Sequence, residues 1–210
     1  MSSRSLDFFE MLAKDSRFTL VEYLADRVEN VRFFSYGSNM NKSKFKKDMK
    51  DACKNLGLNL SKIDKTKLKL DEFAEKQVLL NFRRELSNES DKYGRAFSIS
   101  PFLEDKVEGI CHDVHVSVLP AFLKKEGLFS SKPSYKLIKV CVLGEDQDVL
   151  TLLGLKPKPF KCLKPEKIQD TLKYVDDSIR GAEEFDVEHS DMIEMKKKLQ
   201  DLIRTREKHV

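Results

Sequence analysis

Hydrophobic and polar positions change rhythm along the chain. Residues 6–28 carry apolar side chains at spacings of three and four (Phe8, Phe9, Met11, Leu12, then Leu20, Val21, Tyr23, Leu24), which predicts one or two helices. Residues 31–36 form a short, almost continuous apolar and aromatic run, as expected of a buried strand. Gly37, Ser38 and Asn39 break that run with a turn cluster, and the helix-like segment 41–53 follows, with Asn41 or Ser43 available as its cap. The unit is strand, tight polar loop, helix. Such a loop exposes backbone N–H groups at the positive end of a helix dipole, which suits an anion, either carboxylate or phosphate. An ordinary strand-to-helix turn has the same pattern.

Residues 56–75 lack a clear period and read as a connector leading into a strand. From 77 to 142 the texture is β, with strands expected at 78–82, 96–99, 107–114 and 135–143, punctuated by Gly94, Pro101, Gly109, Gly127 and Pro133. Segment 114–126 reads as a strand end followed by a short helix, and 149–155 as a short apolar element. A Pro-containing connector at 156–165 leads to helices over 166–209, with a break at Gly181. The sum is an α+β fold: a compact mixed sheet with helices before and after it.

Composition narrows the function. Charged residues make up 35% of the 210 positions, but 39 basic and 35 acidic side chains leave a net charge of only +4. That describes a well-solvated surface rather than a nucleic-acid binder. The lysine clusters at 42–50 and 62–69 read as solvated faces, since aromatic residues for base stacking are sparse among them. No apolar run is long enough to span a membrane. The N-terminus has charges within its apolar stretch and makes a poor signal peptide. Cys53, Cys111, Cys141 and Cys162 are far apart, as expected for reduced thiols in a cytoplasmic protein. His112 and His115, three apart on a strand, point to opposite faces and make a poor metal pair. No Walker loop, dinucleotide fingerprint or HExxH is present, so no cofactor or metal is implied.

Four segments in register resemble the γ-glutamylcyclotransferase family. They are Phe34 to Met40, matching its aromatic-YGSN loop; Gly94, Ala96, Ser98, Ile99 and Pro101, matching its G-x-A strand; Val107–Ile110, matching an EG-hydrophobic strand; and Phe122, Glu126 and Gly127, a short helix ending in EG, followed by a strand starting at Tyr135. Gly181–Ala182–Glu183 falls where that family has a Gly-Ala late helix, and the likeness runs from about 31 to 200. It implies a γ-glutamylcyclotransferase-like mixed sheet or barrel over 31–155. Around it lie an N-terminal helical extension (1–30) and a C-terminal connector with packing helices (156–210). There are departures. Leu123 stands where the family usually has an Asp, the stretch from Glu126 to Tyr135 is longer, and residues 1–30 are additional. They bear on substrate choice more than on fold.

The resemblance implies a reaction and its residues. The α-amino group of a γ-glutamyl unit attacks its own γ-carbonyl, releasing 5-oxoproline and a free amine. Tyr36, Gly37, Ser38, Asn39 and Met40 would form the substrate-binding loop, with backbone N–H groups on the substrate α-carboxylate. Tyr135 would lie near the substrate. Glu126 would be general acid/base, and a carboxyl beside Phe122, Leu123 and Leu128 would be poorly solvated, favouring its protonated form. Taken on the residues alone, Glu126 reads first as a surface carboxylate at a helix end beside Lys124 and Lys125, and Tyr135 equally as a strand residue with its ring in the core. Glu108 reads as a strand carboxylate paired across the sheet with Lys or Arg. The alternatives to this enzyme are a non-catalytic small-molecule binding module and a different acyl or amine transferase on the same scaffold. The expected partner is a small γ-glutamyl compound, without nucleic acid or membrane. Its amine portion and the oligomeric state are not encoded in any motif.

Overall fold

A computed structural model describes residues 30–55, 74–115, 118–128, 133–144 and 149–207. The helices expected over 6–28 and nearly all of the connector at 56–75 lie outside these residues. The order is β1 (Asn30–Ser35), α1 (Lys42–Asn55), β2 (Glu75–Ser90), β3 (Gly94–His115), α2 (Leu119–Lys125), β4 (Tyr135–Val140), β5 (Val149–Gly154), α3 (Ile168–Glu184) and α4 (Ser190–Glu207). Short 3-10 turns occur at Ser38–Met40, Phe160–Cys162 and Pro165–Lys167.

The strands form one mixed sheet in the order β2-β3-β1-β5-β4. β1 runs antiparallel to β3 and parallel to β5, and the remaining pairs are antiparallel. The sheet curls on itself. Leu79 of β2, at one edge, bridges to Val142, just past β4 at the other, and the Leu143 N–H donates to the Val78 carbonyl at 2.8 Å. The result is an α+β half-barrel with helices on both faces.

The central position of β1 explains its run of apolar residues. On one face Phe34 and Tyr36 join Phe97, Ile99 and Ile110 in a core closed by Val175, Ile179 and Ala182 of α3 and by Met192 and Leu199 of α4. On the other, Val31 and Phe33 join Leu150 and Leu152 beneath Phe45 and Met49 of α1 and Phe122 and Leu123 of α2. A strand buried on both faces shows no alternation.

Three sequence expectations are corrected. The strands expected at 96–99 and 107–114 are parts of one 22-residue strand, β3. Pro101 does not end it, because β1 pairs only with Ile110–His115 and the proline stretch pairs with β2 alone. The strand expected at 78–82 extends over polar residues to Ser90, since β2 is an edge strand with much of its surface in solvent. Lastly, α3 runs through Gly181 unbroken, and the helical region breaks after Glu184. A Cβ at Gly181 would meet Asn41 N at 2.2 Å and Met40 C at 2.5 Å, so this glycine admits the backbone of the loop after β1. Among the described residues no helix is long and apolar enough to cross a membrane, and the four cysteines form no disulfide with one another.

Candidate active site

The loop after β1 is fixed from both ends. The buried Tyr36 hydroxyl donates to the Leu152 carbonyl at 2.5 Å. The 3-10 turn is closed by the Met40 N–H on the Gly37 carbonyl at 2.9 Å, and Asn41 Oδ1 accepts the Lys44 N–H at 2.9 Å, capping α1. Of the two expected caps, Asn41 serves, with Ser43 Oγ donating to the same oxygen. A Cβ at Gly37 would lie 2.7 Å from the Tyr174 hydroxyl, so only glycine lets the loop rest on that phenol.

Glu126 reaches the same place from α2. This short helix is anchored by Phe122, whose ring is 4.4 Å from that of Phe33 and 5.7 Å from that of Phe45. It ends in a Schellman arrangement: Leu128 N–H donates to the Leu123 carbonyl at 3.1 Å and Gly127 N–H to the Lys124 carbonyl at 3.0 Å, with Gly127 at φ +75°. The Glu-Gly pair therefore has a local cause. Glycine turns the chain, and the residue before it projects from the helix end.

The Glu126 carboxylate meets the loop directly. Its Oε1 accepts from Asn39 Nδ2 at 3.0 Å and from Lys125 Nζ at 2.8 Å. Lys125 Nζ also donates to Asn39 Oδ1 at 2.6 Å and lies 3.7 Å from Asp48. Lys44 holds that aspartate at 2.8 Å. Burial works against a charged Asp48, but Lys44, Lys125 and Lys92 outweigh it and hold its carboxyl below the usual range. Phe122 and Leu123 are buried on the core side of α2, and the Glu126 carboxylate, expected in a partly apolar setting, has charged and amide partners.

Tyr36, Gly37, Ser38, Asn39, Glu126 and Tyr135 all line one cavity of about 630 Å³. Met40 does not. It is fully buried in the core between the loop and α3. Tyr135, half-buried, donates its hydroxyl hydrogen to the Phe97 carbonyl at 3.1 Å. Sequence reasoning missed Tyr174, which reaches the cavity from α3 and lies beneath the loop. Its hydroxyl accepts the Phe97 N–H at 3.1 Å. The only sequence signal for it was its amphipathic helix. Burial pushes Tyr36 and Tyr135 well above the ordinary phenol value, and Tyr174 up to about 12, so all three are neutral at physiological pH.

Glu108 stands outside this cavity. It pairs with Lys76 on the neighbouring strand at 2.9 Å and accepts the Glu188 N–H at 3.0 Å. Burial opposes its charge, but these partners prevail and hold its carboxyl below the usual range. His112 is buried against the Phe45 ring at 4.8 Å. Among the described residues no group of three or more His, Cys, Asp or Glu side chains is placed to hold a metal.

Solved structures that resemble this architecture include the following two. YkqA from Bacillus subtilis aligns with a TM-score of 0.56 at 16% identity, over 89% of this chain and 59% of its own. This chain thus spans 59% of the length of YkqA. A protein described as a gamma-glutamyl cyclotransferase aligns with a TM-score of 0.52 at 16% identity, over 84% of this chain and 99% of its own. The fold is γ-glutamylcyclotransferase-like. No family model and no curated protein matches the sequence, so the likeness is one of fold. On the γ-glutamylcyclotransferase-like scaffold, the cavity opens where the first strand, the end of α2 and α3 converge.

Proposed function

We propose that the protein cyclises the γ-glutamyl group of an amine or peptide, releasing 5-oxoproline and a free amine. The observation that carries this reading is the contact of Glu126 Oε1 with Asn39 at 3.0 Å, a carboxylate facing the loop that would hold the substrate. Backbone N–H groups of Gly37, Ser38 and Asn39 would take the α-carboxylate, aided by the α1 dipole. Tyr135 would flank the substrate. The fold likeness to a protein described as a gamma-glutamyl cyclotransferase supports the reading.

Each step has a residue assigned to it. Glu126 takes a proton from the α-ammonium. The freed amine attacks the γ-carbon, forming the five-membered ring and a tetrahedral oxyanion. The oxyanion collapses and the bond to the leaving amine breaks as Glu126 gives its proton to that nitrogen; the ring nitrogen, left with one proton too many, releases it to the regenerated Glu126 carboxylate, from which it passes to the departing amine as that leaves as an ammonium ion. Because nucleophile and electrophile share one molecule, positioning supplies most of the acceleration, with effective molarities of roughly 10⁵–10⁸ M.

The test is incubation with γ-glutamyl-alanine, glutathione and γ-glutamyl-lysine, with lactam measured directly. The wild type releases 5-oxoproline from at least one, and Glu126→Gln loses about 10²–10⁴-fold of that rate. Turnover unchanged by Glu126→Gln overturns the role of Glu126. The Lys125–Glu126 pair favours one alternative, a non-catalytic binding module, because it occupies the carboxylate. Retained binding of γ-glutamyl compounds without turnover would establish that alternative.

A further inference from the structure

Ser35 is the last residue of β1 and belongs to the cavity wall. It is 3% exposed, and its Oγ has no hydrogen-bond partner among the described residues. A buried hydroxyl without a partner carries a desolvation cost, and it persists where something else completes it. Its location indicates what that is. Side chains alternate along a strand, so Ser35 faces the same way as Phe33, towards α1 and α2. Phe33 packs on Phe122, and Glu126 lies about one helical turn beyond Phe122. Ser35 and Glu126 thus border the same cavity from the sheet and from the helix end.

Three other donors that line the cavity are engaged. The hydroxyl hydrogens of Tyr36 and Tyr135 go to the Leu152 and Phe97 carbonyls, and the Asn39 amide goes to Glu126. Cyclisation places negative charge on the γ-carbonyl oxygen as the tetrahedral centre forms, and a prepositioned donor stabilises it. We infer that Ser35 is a catalytic residue whose hydroxyl donates a hydrogen bond to the γ-carbonyl oxygen of the bound γ-glutamyl group. No bond to Ser35 is made or broken, and its proton stays on Oγ throughout. This role rests on the γ-glutamyl reading above.

The experiment compares wild type, Ser35→Ala and Ser35→Thr with the γ-glutamyl compound that the wild type turns over best, and measures thermal unfolding of all three. Ser35→Ala lowers kcat by on the order of 10²-fold with little change in KM, because the contact strengthens only as the oxyanion develops. Its melting temperature stays level or rises, since the alanine removes a hydroxyl that had no protein partner. Ser35→Thr, which keeps the hydroxyl, recovers most of the lost rate. Undiminished kcat in Ser35→Ala overturns the role while leaving the cyclisation reading intact. So does a loss of rate that only tracks a fall in folded protein. A wild type that turns over no γ-glutamyl compound overturns the cyclisation reading and this role together.

Discussion

Lys125 Nζ lies 2.8 Å from Glu126 Oε1 and 2.6 Å from Asn39 Oδ1, so an ammonium group already occupies the carboxylate assigned to the substrate's α-ammonium. The side chain has a second anion within reach, Asp48 at 3.7 Å. Two ammonium groups cannot share one carboxylate oxygen without repulsion, so substrate must displace Lys125 towards Asp48. Replacing Lys125 by Gln removes the competitor. KM for a γ-glutamyl substrate should fall about 10-fold, the equivalent of one charged hydrogen bond no longer broken on binding. Steady-state kinetics decide the matter. A KM that rises would mean that Lys125 holds the substrate rather than yielding to it.

The loop that faces Glu126 is also held from behind, by α3. A methyl group at Gly181 would run into backbone atoms of Met40 and Asn41, which cannot rotate away as a side chain could. Gly181→Ala should cost about 1–3 kcal/mol of stability and should weaken ligand binding, because relief of the clash moves the loop. Gly127 makes an instructive comparison. Nothing lies within 4 Å of a Cβ there, but φ is +75°. Gly127→Ala should cost about 1–2 kcal/mol through backbone strain alone. Urea unfolding gives both values. Equal binding losses in the two variants would contradict the separate causes assigned to them.

These relationships show which parts were legible in the sequence. β1, its polar loop and α1 could be read because each has a strong local cause: two-sided burial, a turn cluster and a capping Asn41. The long hairpin of β2 and β3 could not. Residues 83–90 carry a single apolar side chain, Leu86, because the buried positions Arg84 and Asn88 are polar and hydrogen-bonded, and Pro101 looks like a terminator unless it is known that β1 does not reach it. Gly181 resembled a helix break because the glycine signal is the same whether it serves a turn or a close approach, and only the neighbouring chain distinguishes the two. Glu126 was singled out by the resemblance, through its Glu-Gly ending. Tyr174, Lys125 and Ser35 were not assigned to the site, since what brings them there is the packing of α3, α2 and β1 around one cavity.

The phenols of that cavity give the protein a characteristic alkaline limit. Tyr36 and Tyr174 are buried, with ionisation pushed above the ordinary value of 10.0, for Tyr174 to about 12. A raised value in the folded state means that the native protein holds the proton after the unfolded chain has lost it. The stabilisation is therefore complete below pH 10 and is lost as pH rises from there through the folded values. Each of the two should cost up to about 1.4 kcal/mol per pH unit in that window. Thermal unfolding should be flat between neutrality and pH 9 and decline above pH 10. Absorbance at the phenolate band should show both tyrosines silent until unfolding begins. A reversible phenolate signal from either at pH 10 in folded protein would refute their placement.

Arg84 ties the sheet to the last helix behind the site. Its guanidinium makes two bonds to Asp191, with Nε to Oδ2 at 2.8 Å and an Nη to Oδ1 at 2.6 Å. Its other hydrogens go to the carbonyls of Glu108 at 3.1 Å, Glu188 at 3.1 Å and Tyr36 at 3.4 Å. The Arg84 side chain is 3% exposed whereas that of Asp191 is 37% exposed, so water shares the aspartate but not the arginine. Asp191→Asn should therefore cost only about 2 kcal/mol, less than the loss of a fully buried pair. Arg84→Met should cost more, about 3–5 kcal/mol, because it leaves buried carbonyls of β3 and of the Tyr36 loop without this donor. The Arg84→Met cost should change little between about 0.1 and 1 M salt, whereas the Asp191→Asn cost should shrink, since screening acts mainly on exposed charges. Denaturant unfolding of the two single variants and of the double variant measures the coupling. A double variant whose loss equals the sum of the singles would show that the bidentate contact contributes nothing.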